Sequence, residues 1–192
     1  RRQRQMCIRD STMTFVAGSS WQPDEDLFIE YFNQHPEVKL VIAPHVIDEN
    51  HLVEIIRKLK RPYVRYTRAD EKNVRKADCL IIDCFGLLSS IYRYGEIAYI
   101  GGGFGVGIHN TLEAAVYGIP VIFGPKYQKF QEAIQLLEAK GAFSVKDYEE
   151  LKTLIDRMLT DEVFLRESGM NASNYVTGNA GATDKIMSMI NF

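Results

Sequence analysis

IAYIGGGFGVGIHNTLEAAVYGIPVIFGP, from Ile97 to Pro125, is the stretch on which the reading of the whole chain turns. Its apolar start, Ile97 to Ile100, has the length and composition of a buried strand. Glycines at 101, 102, 103, 105 and 107 follow at once, and a helix is expected to open near Asn110. Such a turn lets backbone approach a ligand closely, and the helix start beyond it offers free N–H groups and a positive dipole end to an anion. The glycines fit neither G-x-G-x-x-G nor G-x-x-x-x-G-K-[ST] in any register. Dinucleotide oxidoreductases and P-loop phosphotransferases therefore lose ground.

Within this stretch, Asn110-Thr111-Leu112-Glu113 has the form of a helix cap with a reciprocating glutamate. That gives Glu113 a structural role; the functional alternative points its carboxylate at ribose hydroxyls. Glu113 to Pro120 reads E-x-x-x-x-G-x-P, a helix, a glycine stop and a new strand.

Outward from here, short apolar runs alternate with amphipathic stretches. Candidate strands are Thr14 to Ala17, Lys39 to Ala43, Tyr63 to Tyr66, Cys79 to Ile82, Ile97 to Ile100 and Val121 to Phe123. Runs such as VKLVIA and CLIID suit strands covered on both faces, as in a parallel sheet. Pro23 with Asp24, Glu25 and Asp26 reads as the first turn of a helix to Asn33, its acids near the positive end. Asp48 caps a helix through Leu59, and Asp147 with Glu150 forms a capping-box pattern before Leu151 to Leu159. The chain reads as helix again from Asp161 to about Tyr175 and after Ala182. The fold class expected is α/β, a doubly wound, mainly parallel, Rossmann-like sheet, which binds ligands at the carboxyl ends of its strands.

The 192 residues, 46% hydrophobic and 25% charged, suit one globular domain, and no apolar run is long enough to cross a bilayer. The first ten, RRQRQMCIRD, share no pattern with the rest. They resemble the read-through translation of a sequencing adapter, so residues 1–11 are read as an artefact and residues 12–192 as the domain; the alternative is a basic arm for an anionic partner. Arg1, Arg2, Arg4 and Arg9 against Asp10 contribute +3 to the formal charge of −2, leaving −5 for the remainder. An acidic domain is a poor nucleic-acid binder. Cys79 and Cys84 have no partner at metal-ligand spacing and read as reduced packing residues, and no metal is expected.

Three further loops lie at the expected ligand edge. Gly18, Ser19 and Ser20 form either an anion site or an ordinary capped turn after the first strand. Pro44-His45 brings an imidazole to the end of the second strand. After the fourth, Gly86 allows close approach, and Phe85 could pack on a base or sugar, or in the core. His35 and His51 read as solvated or packed.

Together, the strand, Gly-Gly-Gly-Phe (101–104), His109-Asn110, E-x-x-x-x-G-x-P and Gly124-Pro125 resemble the donor-binding domain of the 3-deoxy-D-manno-octulosonic acid (Kdo) transferases, of the GT-B architecture. The family pattern G-G-[ST]-x-x-x-x-G-G-H-N-x-x-E-x-x-x-x-x-x-P-V, followed by G-P, is matched nearly residue for residue in its second half, and the likeness covers Thr14 to Phe192. It implies transfer of Kdo from CMP-Kdo to a lipid A precursor, with inversion and no cofactor, in lipopolysaccharide biosynthesis at the cytoplasmic face of the inner membrane. Acceptor site, general base and membrane-associating segment would belong to an N-terminal domain absent here, leaving the catalytic residues of this half unknown. The donor site it implies comprises Gly18, Ser19, Ser20, Pro44, His45, Phe85, Gly86, Gly102, Gly103, Phe104, His109, Asn110 and Glu113. The family's arginine between Pro44 and His45 is missing, Cys84 and Phe85 replace a smaller pair, and Leu87 stands where many members carry Glu. Lys126 becomes the substitute cation. A UDP-sugar enzyme such as a nucleotide-sugar epimerase, or a non-catalytic nucleotide-binding module, is the alternative.

Overall fold

The computed structural model describes residues 13–179, so residues 1–11, read above as an artefact, and the helix expected after Ala182 lie outside the described residues. Seven strands form one sheet: β1 Met13–Ser20, β2 Val38–Pro44, β3 Tyr63–Arg65, β4 Cys79–Ile81, β5 Ile97–Ile100, β6 Val121–Phe123 and β7 Ala142–Ser144. All neighbours are parallel, in the order β3-β4-β2-β1-β5-β6-β7. Helices α1 Gln22–Gln34, α2 Glu49–Lys58, α3 Glu71–Val74, α4 Leu88–Ile91, α5 Leu112–Ala115, α6 Gln131–Glu138, α7 Tyr148–Thr160 and α8 Glu162–Asn179 make the crossovers and the carboxyl-terminal cover.

Alternation along the strands feeds two cores. Phe15, Ala17, Leu40 and Ile42 face one side, against Phe28 and Phe32 of α1, Leu52 and Ile55 of α2, and Leu151 and Ile155 of α7. Val16, Val41 and Ala43 face the other, with Tyr92, Ala114, Ala133, Leu136 and Ala172. Both faces are therefore covered, which is why the strands read as near-continuous apolar runs.

Three expectations change. β1 runs through Ser20, so Gly18, Ser19 and Ser20 belong to the strand and not to a turn after it. The register slips between Gly18 and Ser20, and Ser19 bulges out at φ 52°. The helix expected to open at Asn110 is a single turn, Leu112–Ala115: Tyr117 and Gly118 N–H already donate to the Ala114 and Ala115 carbonyls, and Gly118 stops it at φ 70°. So short a helix adds little dipole to the loop before it. β7 and α6 went unread, because AFS is too short for alternation to show and α6 buries only Ala133 and Leu136.

The chain moves outward from β1 to β2, then returns from β4 to place β5 on the opposite side of β1. The carboxyl ends of β1 and β5 thus form the crevice where a doubly wound sheet takes its ligand. They are very close: Gly101 N–H donates to the Gly18 carbonyl (2.9 Å), and a Cβ on Gly101 would collide with the Ser19 carbonyl and stand 2.5 Å from Ser20 Cα. Gly101→Ala must pry the two strand ends apart, so we expect it to cost about 1–3 kcal/mol, read as a lower urea midpoint with an unchanged slope.

Candidate functional site

The glycine loop closes on itself, with Gly105 and Gly107 N–H both donating to the Gly102 carbonyl (3.0 Å each) and His109 N–H to that of Gly101 (3.2 Å). Gly102 adopts φ 95°, which turns its own N–H to Asp24 (2.8 Å). Asp24 is 0% exposed, and Trp21 N–H (3.0 Å) and the Tyr99 hydroxyl (2.9 Å) also donate to it. One carboxylate thus ties the start of α1, the floor of β5 and the glycine loop together. Burial pushes its pKa up against the opposing pull of those three donors.

Glu25 is buried beside it, accepting from Ser20 Oγ (2.9 Å) and pairing with His51 Nε2 (3.0 Å). The Ser20 hydroxyl therefore faces Glu25, and no free hydroxyl from Ser20 reaches the crevice. Burial raises the Glu25 pKa; for His51 burial acts downward, but the Glu25 carboxylate outweighs it and the net shift is upward. Asp24 and Glu25 lie in the first turn of α1 as expected and in addition anchor the crevice walls, while Asp26 alone of the three is exposed.

At the mouth, three rings stack. His45 lies between Trp21 (centroids 4.7 Å) and His109 (4.4 Å), and Trp21 Nε1–H donates to His109 Nε2 (3.3 Å). His45 is exposed, and its N–H donates to the Ser20 carbonyl (2.9 Å), while Pro44 behind it is buried. The bond from Trp21 requires a bare Nε2 on His109; burial, helped by the neighbouring His45, holds the His109 pKa below its ordinary 6.5.

The other candidates surround this core. Phe104 packs on Gly124, with Gly103 against the Gly124 backbone, and Lys126 donates from Nζ to the Gly105 carbonyl (3.1 Å). Asn110 accepts from Leu112 N–H (3.0 Å) and donates from Nδ2 to Glu113 (3.2 Å), so the cap reciprocates through side chains. Phe85 is 81% exposed and is no core residue; Gly86 beside it has φ 88° and open space around it. Asp83, before it, is tied to Arg65 (2.8 Å) and Thr67 (2.6 Å) of the neighbouring strand end. Trp21, Asp24, Glu25, His51 and Tyr92 were given no role in the site from sequence. Tyr92, 1% exposed, lies over Gly18, where a Cβ would strike its hydroxyl. Among the described residues no cluster of three His, Cys, Asp or Glu side chains is arranged to hold a metal, and no helix is long and apolar enough to cross a membrane.

A parallel, doubly wound sheet with a glycine loop and an E-x-x-x-x-G-x-P segment at its switch point is the fold of a GT-B glycosyltransferase domain. It superposes on the C-terminal CMP-Kdo binding domain of WaaA from Acinetobacter baumannii with a TM-score of 0.74, at 18% identity, covering 90% of this chain and 93% of that one. No protein-family model matches the chain. The 3-deoxy-D-manno-octulosonic acid transferase of Aquifex aeolicus (strain VF5) is 33% identical over 151 residues, 76% of this chain and 41% of its own length. That of Rickettsia felis is 31% identical over 190 residues, 94% of this chain and 40% of its own. The chain belongs to the family of the 3-deoxy-D-manno-octulosonic acid transferases, and spans about two fifths of the length of these relatives.

The Asp24 node makes a graded prediction. Asp24→Ala strands three donors and should cost about 3 kcal/mol or more. Asp24→Asn should cost about 1 kcal/mol, since its amide oxygen can keep both backbone N–H groups while its NH2 donates to Tyr99. Thermal melts compare them. Trp21 is the sole tryptophan, so its fluorescence reports on the stack directly. Emission should be quenched on acidification, with a component whose midpoint lies below 6.5 and vanishes in His109→Gln.

Proposed function

We propose that this chain is the donor-binding domain of an inverting glycosyltransferase that moves Kdo from CMP-Kdo to a lipid A precursor. The observation that carries the reading is the convergence of the glycine loop, His45, His109 and Lys126 on the β1–β5 crevice. Each cation-capable group stands on backbone that follows β2, β5 or β6 at the sheet's carboxyl edge.

The chemistry fits the charge. A CMP-sugar carries one phosphodiester, and its CMP leaves with an additional negative charge. One lysine and the ring N–H donors of two histidines suit the single phosphate of a CMP-sugar better than the two phosphates of a UDP-sugar. In the reaction, an acceptor hydroxyl attacks the anomeric carbon and gives its proton to a general base. The bond from that carbon to the phosphate oxygen breaks, and CMP takes the electron pair. Preorganised donors at the developing charge are the contribution of this half: His45 from the end of β2, Lys126 from beyond β6, and the N–H groups of the loop. His109, kept bare at Nε2 by Trp21, can offer Nδ1–H to the same anion. Glu113, half-buried beside Asn110, accepts ribose hydroxyls.

The acceptor site, the general base and association with the cytoplasmic face of the inner membrane are assigned to a further domain outside this chain. Hence the isolated chain should bind CMP in preference to UDP or NAD, without turnover. Glu113→Gln should weaken CMP about tenfold, through the loss of a charge-assisted acceptor, and leave the melting temperature unchanged. Calorimetric titration paired with a thermal melt tests this, and a lower melting temperature with unaltered CMP affinity would mean that Glu113 is only a cap.

A further inference from the structure

Beside the crevice, the segment from His109 to Leu112 and the start of α6 enclose a recess of about 540 Å³, closed on the α6 side by Phe130 and Glu132. Neither of these residues has a role in the donor site described above. His109 and Asn110 belong to both places, so a molecule resting on the glycine loop can extend into the recess without a break.

Its lining has a particular chemistry. Glu132 is an exposed carboxylate in the first turn of α6, and Asn110 is an exposed amide. Thr111 is 3% exposed, and its hydroxyl makes no capping bond to the helix it precedes nor any hydrogen bond to the described residues. The apolar part is the Phe130 ring, which packs on the glycine loop so closely that a Cβ on Gly107 would lie 3.0 Å from it. No lysine or arginine lines the recess. A carboxylate without a cation repels phosphate and sugar acid alike, so the anionic parts of a donor have to stay on the crevice side. A carboxylate, an amide and a free hydroxyl around one aromatic ring suit a neutral polyol. Its hydroxyls donate to the oxygens while its C–H face lies on the ring. The volume is within the range of small-molecule sites.

We propose that this recess holds the hydroxyl-bearing end of the donor sugar, with Glu132, Asn110 and Thr111 on its hydroxyls and Phe130 against its carbon face. The assignment rests on the donor reading above and extends it from the nucleotide to the sugar, making Glu132 a specificity-determining residue.

The test titrates the 192-residue chain, its Glu132→Ala and its Glu132→Gln variants with CMP and with freshly prepared CMP-Kdo, each with a thermal melt. Because Glu132 is exposed, both variants should melt with the wild type. Wild type should bind CMP-Kdo more tightly than CMP. Glu132→Ala should lose about tenfold in affinity for CMP-Kdo, keep its affinity for CMP within about twofold, and Glu132→Gln should fall between, since it retains one acceptor oxygen. Equal losses for CMP and CMP-Kdo would mean that the recess takes the nucleoside, and no loss in either variant, or no gain of CMP-Kdo over CMP in the wild type, would mean that it takes nothing; each overturns the recess while leaving the donor reading standing. A wild type that binds no CMP at all would overturn the donor reading, and the recess with it.

Discussion

A single buried carboxylate holds the site in place. Asp24 has no exposure, and its two oxygens take a backbone N–H at the start of α1, a backbone N–H from the glycine loop and a phenol from the middle of β5. Desolvating a carboxylate is expensive, and only several donors together offset it. The consequence is positional. Gly102 at φ 95° turns its N–H to this carboxylate, and the loop from Gly101 to His109 closes on that turn. Glu25, one residue on, performs a similar task between Ser20 and His51, joining the end of β1 to α2.

On that frame, the charge of the crevice is modest and adjustable. His45 is exposed at its mouth, and His109 is held bare at Nε2 by the indole N–H. Lys126 completes the set but leans on the carbonyl of Gly105. At the end of β2 this chain presents an imidazole stacked on Trp21. A planar ring stacked on both faces is fixed in position by its neighbours.

Much of this was legible in the sequence for identifiable reasons. Strands β1, β2 and β4 to β6 announced themselves because residues covered on both faces must be largely apolar. The caps at Asp48 and Asp147 were visible because a helix start leaves donors that a side chain must meet, and both accept backbone N–H groups as expected. The E-x-x-x-x-G-x-P segment and His109-Asn110 pointed to the family because they recur at fixed spacing. Asp24 and Glu25 stand in the first turn as read, but their burial was not legible, for an equally physical reason: an acid in the first turn of a helix has the same local signature whether it faces water or a neighbouring strand. Their partners Tyr99, Gly102 and His51 lie 75, 78 and 26 residues away.

What the sequence determined alone was everything with a local period or a local rule: the alternation of strand and helix, the parallel buried sheet, the glycine loop directly after a strand and the family to which it belongs. Tertiary structure decided what depends on residues meeting across the sheet. It carried β1 through Ser20 with a bulge at Ser19, reduced the helix after Asn110 to one turn, stacked Trp21 on His45 and His45 on His109, and opened a recess between that turn and α6. Each of those outcomes is set by where β1, β2, β5 and α6 end in space, and no spacing along the chain encodes that distance.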